Sequence, residues 1–164
     1  TTTRMERLDL SSCGITDTTL AELVAHLYKD GRPLSLQELC LSFNSIGNAG
    51  LQHVAAMLSR KHCTLSSLGV QFNDFDSLEC IEEALECNNM SLQHLFVWNR
   101  FLGVDTVMTR PIDHWLSLNR AGRWAISTID AKELWPHILC RADQVSGASA
   151  IFHFLRERPD LFDD

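Results

Sequence analysis

One eleven-position pattern is written four times in the first hundred residues of this chain. It runs Met5-Glu-Arg-Leu-Asp-Leu-Ser-Ser-Cys-Gly-Ile15, Leu36-Gln-Glu-Leu-Cys-Leu-Ser-Phe-Asn-Ser-Ile46, Leu65-Ser-Ser-Leu-Gly-Val-Gln-Phe-Asn-Asp-Phe75 and, incompletely, Leu92-Gln-His-Leu-Phe-Val-Trp98. Positions one, four, six and eleven are apolar, and position nine is Asn or Cys. In an extended segment, side chains two apart share a side. Leu8 and Leu10, Leu39 and Leu41, Leu68 and Val70, and Leu95 and Val97 therefore face a core, while positions three, five and seven face away. One such unit is too small to bury its own apolar side, so neighbouring copies must stack to complete it.

The second half of each unit has a different period. Leu20, Leu23, Val24 and Leu27 fall at i, i+3, i+4 and i+7, as do Leu51, Val54, Ala55 and Leu58, which makes one apolar helix stripe in each. Leu78, Ile81, Ala84 and Leu85 continue the series, with Asp76 and Glu79 spaced as a helix-start capping pair. The fourth-position leucines Leu8, Leu39, Leu68 and Leu95 stand 31, 29 and 27 residues apart.

This combination resembles the leucine-rich repeats, and the period near 28 with a helical second half is similar to their ribonuclease-inhibitor-like type. The resemblance implies an α/β solenoid with short parallel strands on its concave face and α-helices on its convex face. It further implies a module that binds another macromolecule. The Asn at position nine can bond backbone groups from inside the turn, so stacked copies form a structural ladder of Asn44 and Asn73, with Cys13 as the substitute.

Repeat four departs from the pattern, with Arg100 at position nine and Asn99 one place early, so the ladder is read as ending there. Gly103 to Arg110 has neither a helix stripe nor a fifth strand. The division expected is residues 1–102 as about four repeats and 103–164 as an all-helical C-terminal cap. The cap holds Trp115, Trp124 and Trp135. Pro111 and Pro136 are placed to open helices, Asp130 and Glu133 form a further capping pair, and Gly147 separates a last helix that Pro159 stops. This tail resembles those of repeat proteins of diatoms and related algae, which implies no chemistry.

Composition removes several function classes. The net charge of −7 argues against a nucleic-acid backbone as ligand, which calls for a basic stripe. Arg120, Arg123, Arg141, Arg156 and Arg158 are interspersed with acids and read as a solvated surface. No apolar run approaches the roughly 20 residues that span a bilayer. The chain begins on Thr1, as a fragment or processed chain would.

The six cysteines include no C-x-x-C pair and no zinc spacing, so they read as small buried thiols in a reducing compartment. The sequon Asn89-Met-Ser91 leaves secretion open. No cofactor or metal is called for. The nearest nucleophile and base, Cys63 and His62, are loop neighbours and read as surface, not as a catalytic pair.

The candidate partner-binding residues are those on the outward side of the strands and at their ends: Arg7, Asp9, Glu38, Phe43, Gln71, Phe72, His94, Phe96 and Trp98. Their polar end is repeat one and their aromatic end repeats three and four. A protein partner on this concave face, without catalysis, in the cytoplasm or nucleus, is the leading expectation. Two alternatives stand beside it: a regulator resembling the leucine-rich GTPase-activating proteins of the Ran cycle, and the sensor fragment of a larger immune-type receptor.

Overall fold

The computed structural model describes residues 5–27, 35–98, 110–128 and 132–162. Strand and helix alternate through the repeats: β1 (Arg7–Asp9), α1 (Asp17–Leu27), β2 (Glu38–Cys40), α2 (Asn48–Leu58), β3 (Ser67–Gly69), α3 (Glu79–Cys87) and β4 (His94–Phe96). The helices α4 (Arg110–Ala121), α5 (Ala125–Thr128), α6 (Trp135–Ser146) and α7 (Ala148–Glu157) follow, with short 3-10 turns at Lys132–Leu134 and Pro159–Phe162.

The strands form one parallel sheet in the order β1-β2-β3-β4, with Arg7, Glu38, Ser67 and His94 in register. Register follows from the pattern, because a slip of one residue would turn Leu39 and Leu68 out of the core and Glu38 and Ser67 into it. Hydrogen bonding outlasts the three-residue strands. The N–H groups of Ser12, Phe43 and Phe72 donate to the carbonyls of Ser42, Gln71 and Trp98 at 3.0, 2.8 and 2.7 Å.

Between sheet and helices lies a core in which Leu20, Leu41, Leu51, Val54, Leu68, Val70, Ile81 and Leu85 are inaccessible to solvent. Leu8, Leu10 and Leu23 of repeat one are only half-buried against it. In the described residues, repeat one has a neighbour on one side only.

Turn polarity is handled by the position-nine amides. Asn44 is buried; its Nδ2 donates to the carbonyls of Leu10 and Leu41 at 3.0 and 2.9 Å, and its Oδ1 accepts from the N–H groups of Cys13 and Ile15 at 3.0 Å. Asn73 repeats this one unit on, donating to Leu41 and Val70 and accepting from Ile46. Each amide thus ties its own turn to the preceding one. The Cys13 thiol lies outside the turn, exposed, with its Sγ 3.5 Å from the Ser11 carbonyl. A thiol supplies one weak donor and no acceptor of amide strength, so it does not replace the Asn contacts.

The reading of the cysteines as buried is corrected more generally: Cys13, Cys87 and Cys140 are exposed, and Cys40, Cys63 and Cys80 are half-buried. The capping pair in repeat three is also corrected. α3 begins at Glu79, after Leu78, and the Asp76 carboxylate accepts instead from Asn48 Nδ2 of the preceding repeat at 2.6 Å. Asn48 Oδ1 in turn accepts from the Asp76 and Ser77 N–H groups, and the Glu79 N–H donates to Ser77 Oγ. Arg100 and the rest of repeat four after Trp98, the segment to Thr109, and Asp130 lie outside the described residues.

Helix α4 packs on α3 as α3 packs on α2. Its Ile112 and Leu116 join the repeat core, while Leu118 and Ala121 join a second core with Ala125, Trp135, Ala142, Ala150 and Phe154. Pro111 and Pro136 stand in the first turns of α4 and α6, where a missing N–H costs nothing. Gly147, at φ +65°, turns α6 into α7. In α7 the buried positions are Ala150 and Phe154, one helical turn apart, so Phe152 points out at 72% exposure.

The arginines of this region are not a solvated set. The Arg123 guanidinium is buried, donates to the Leu85 and Glu86 carbonyls at 2.5 and 2.6 Å, and lies 4.4 Å from the Trp115 ring centroid. These carbonyls end α3, where a helix leaves acceptors unpaired and its dipole favours a cation. Arg120 donates to the Gln93 carbonyl at 2.8 Å, and Asn119, also buried, donates to the Leu92 carbonyl at 2.8 Å. Arg158 pairs with Asp160 at 2.7 Å and lies over Trp135. Only Arg141 and Arg156 of the five are exposed.

Candidate functional site

The outward side of the sheet and the turns at its C-terminal edge bring the candidate residues together in two groups. At the strand starts, Arg7 and Glu38 pair at 3.0 Å while both remain accessible. Such a pair contributes little to stability. Along the next row stand Asp9, Cys40, Gly69 and Phe96. Asp9 accepts from the N–H and Oγ of Ser11 at 2.9 and 2.6 Å, and these bonds hold its carboxyl below the ordinary value, so it stays ionised at neutral pH. Burial pushes the Cys40 thiol up, but hydrogen bonds with Ser11 and Ser42 outweigh it and the net shift is downward. The Cys40 Sγ sits 3.0 Å from Ser11 Oγ.

The second group is aromatic. The Phe43 and Phe72 rings stack at 4.2 Å and 12°, and Trp98 meets Phe72 edge-on at 4.3 Å. They form a column across three repeats, with exposures of 55%, 38% and 41%. The turn forces this. The residue at position eight takes a left-handed conformation in all three described turns, at Ser12, Phe43 and Phe72 with φ of 56°, 58° and 55°, whether Cys or Asn follows it. A residue other than Gly costs about 1–2 kcal/mol there. The two phenylalanine rings lie outside the turn core, where Asn44 and Asn73 are buried.

Phe96 is 51% exposed and lies beside His94, with ring centroids 6.4 Å apart and nearly parallel. Gln71, half-buried, lines a cleft with Arg7, Asp9, Glu38, Cys40 and Phe96. A groove of about 520 Å³ runs along the column, lined by Asn44, Ser45, Phe72, Asn73, Asp74 and Trp98.

Chemistry is sparse. His62 is exposed and Cys63 half-buried at the end of α2, with no hydrogen bond between their side chains among the described residues. Among the described residues no group of three or more His, Cys, Asp and Glu side chains is placed to hold a metal ion. No described helix is long and apolar enough to cross a membrane. Asn89 of the sequon is buried; its Nδ2 donates to the Leu58 carbonyl at 3.0 Å and its Oδ1 accepts from the Leu92 N–H at 2.8 Å. Glycosylation at that nitrogen would require the corner between α3 and β4 to open.

From sequence, Arg123 reads as solvated surface and Asn89 as part of a sequon, and Asn119 gives no reading, yet these three join the repeats to the helical segment. One signal was available: Asn89 and Asn119 stand 30 residues apart, one repeat length, and the first ends the α3 unit while the second nearly ends α4.

A family model described as leucine-rich repeat matches residues 3–24 and 33–55. Over 100 residues, 60% of this chain, the sequence is 35% identical to human NACHT, LRR and PYD domains-containing protein 14, and over 93 residues, 56% of the chain, 37% identical to the mouse protein of that name. Human NACHT, LRR and PYD domains-containing protein 5 is 35% identical over 92 residues. The matched stretch spans 9%, 9% and 7% of those three proteins. Among solved structures, leiomodin-1 actin-binding site 2 aligns with a TM-score of 0.43 and 15% identity, covering 73% of this chain and 85% of that one. Four in-register strands, the helices packed behind them, the buried asparagines at their turns and the matching repeat model together make the first part of this chain a stack of leucine-rich repeats.

Proposed function

We propose that this chain is a non-catalytic protein-binding module whose contact surface is the strand face and the aromatic column at its edge. The observation that carries this reading is the column itself. Three large rings are held exposed and in mutual contact, two of them on backbone in an unfavourable conformation. Exposed, clustered aromatics mark interaction sites, and rings desolvated at an interface centre often account for about 2 kcal/mol or more each. Phe43, Phe72, Phe96 and Trp98 are the anchors in this reading, with Arg7, Asp9, Glu38, Gln71 and His94 as the polar surround. The helical segment after residue 102 is the cap of the stack.

The test is affinity capture from native lysate by wild type, Phe72→Asn, Trp98→Ala and the helix-face control Gln52→Ala, with bound proteins quantified by mass spectrometry. Asn tolerates the left-handed conformation, so Phe72→Asn removes the ring and keeps the turn. Proteins captured by wild type and Gln52→Ala, and lost with both ring variants, support the reading. Equal capture by all four overturns it.

A second reading has its own support. The relatives carry NACHT and PYD domains by name, and the match covers under a tenth of their length. In this reading the chain is the ligand-sensing repeat part of a larger receptor of that kind. Six free thiols and a buried sequon amide fit a reducing, cytoplasmic setting, with the nucleus open. A nucleotide-binding domain encoded in the same open reading frame is the result that decides for it.

A further inference from the structure

Among the described residues, the turns at the C-terminal edge of the sheet carry one sign of charge. Because the four strands are in register, the turns that leave them lie side by side. Residues 9–17, 40–50, 69–79 and 96–98 include Asp9, Asp17, Asp74, Asp76 and Glu79, and no Lys, Arg or His. Asp9, Asp17 and Asp76 accept hydrogen bonds from the neutral donors of Ser11, Gly47 and Asn48, which hold the carboxylates in place without cancelling their charge. Arg7, on the described strand face, is at the opposite end of β1 and is paired with Glu38. Asp74 lines the same groove as Phe72 and Trp98.

From this placement we propose that the aromatic edge binds a basic segment of a protein partner, with arginine guanidinium planes laid on the Phe43–Phe72–Trp98 column and their charge facing the carboxylates of the turns. A guanidinium stacks on aromatic faces, is weakly hydrated and forms bidentate bonds to carboxylates, whereas a lysine ammonium offers only a point charge. The inference rests on the strand face being the contact surface, and adds the chemistry of what docks there.

The experiment is a fluorescence-anisotropy titration with a labelled peptide of alternating arginine and leucine, against the same peptide with arginine replaced by lysine or by glutamate. Saturable binding is expected for the arginine peptide, weaker binding for lysine and none for glutamate. Phe72→Asn should weaken the arginine peptide about 10-fold, the scale of one desolvated cation–π contact. The pair Asp9→Asn with Asp76→Asn should weaken it by a similar factor and flatten its salt dependence. Glu83→Gln with Glu86→Gln removes the same charge from exposed positions on α3 and should leave binding within about 2-fold if the effect is local rather than due to net charge.

Equal loss in the two carboxylate pairs, unchanged binding by Phe72→Asn, or equal affinity for arginine and glutamate peptides would overturn the proposal. If the ring variants lose their lysate proteins while no basic peptide binds, the contact surface stands and its basic ligand does not. If the ring variants keep those proteins, the surface itself is wrong.

Discussion

Two regions of this molecule solve the same problem with different chemistry. In the repeats, buried turn carbonyls are met by neutral amides, Asn44 and Asn73, at one-repeat spacing. At the seam with the helical segment, the carbonyls that end α3 are met by a cation that occurs once, Arg123, held between them and the Trp115 face. The difference teaches where redundancy lies. A ladder amide has a counterpart in the next unit doing similar work, whereas among the described residues Arg123 is the one guanidinium bonded to the carbonyls that end α3, and its loss takes that donor from both at once.

The largest effect is therefore expected at the seam. Arg123→Ala should cost about 3 kcal/mol, since hydrogen bonds from charged groups contribute about 1.5–3 kcal/mol each and the Leu85 carbonyl stays buried, with that of Glu86 part-buried. Arg123→Lys should recover less than half, because an ammonium cannot hold the fork and the ring stack together. Denaturant midpoints check both, and a wild-type midpoint for Arg123→Ala would erase the distinction between the two regions.

The ladder comes next. Asn44→Ala should cost about 2 kcal/mol by leaving the buried Ile15 N–H and the part-buried Leu10 carbonyl and Cys13 N–H without that amide, whereas Asn88→Ala, at an exposed helix end, should cost about 0.5 kcal/mol or less. Equal midpoints for the two asparagine variants would show that the amide contacts do not stabilise the turn.

A smaller effect separates the regions by pH. His153 of α7 is half-buried; burial lowers its pKa from the ordinary 6.5, Arg123 lowers it further, and Glu157 opposes them. His114 of α4 and Arg156 of α7 also disfavour its charge. The unfolded chain then binds the proton more readily than the folded one. Its contribution is complete above about pH 6.5 and is lost as the pH falls through that value towards the lower folded pKa. Between pH 7.5 and 5.5, wild type should lose more stability than His153→Leu, as read by the two midpoints at each pH. Identical losses would remove His153 as the cause.

The smallest stability change is expected at the column. Trp98→Ala should shift the midpoint by about 0.5 kcal/mol or less, because an exposed ring gives up little burial. If it unfolds the protein instead, that ring belongs to the seam, and the binding surface must be sought towards repeat one, around Arg7, Asp9 and Glu38.

The same contrast separates what was legible in the residues from what was not. Repeat number, strand register, the helices and the asparagines at position nine were all readable, because each is a local requirement repeated at a fixed interval, and repetition distinguishes it from chance. The exposed rings were readable as candidates, yet the direction of Phe43 and Phe72 was not. It depends on a left-handed turn residue whose cost is met by bonds made to other repeats. Arg123 gave no signal at all: a lone arginine among acids has the same appearance whether it is solvated or buried, and its partners Leu85 and Glu86 are about forty positions away.

By itself, then, the order of residues determined that this chain builds stacked strand–helix units with an apolar interior, because period-two and helical patterns leave no other way to bury those leucines. Tertiary structure alone decided that α4 serves both cores, that Arg123 and Asn119 close the seam, and that the aromatic column shares its edge with carboxylates and no cation among the described turns. Those outcomes depend on which distant groups meet, and a contact between distant groups leaves no period in a sequence.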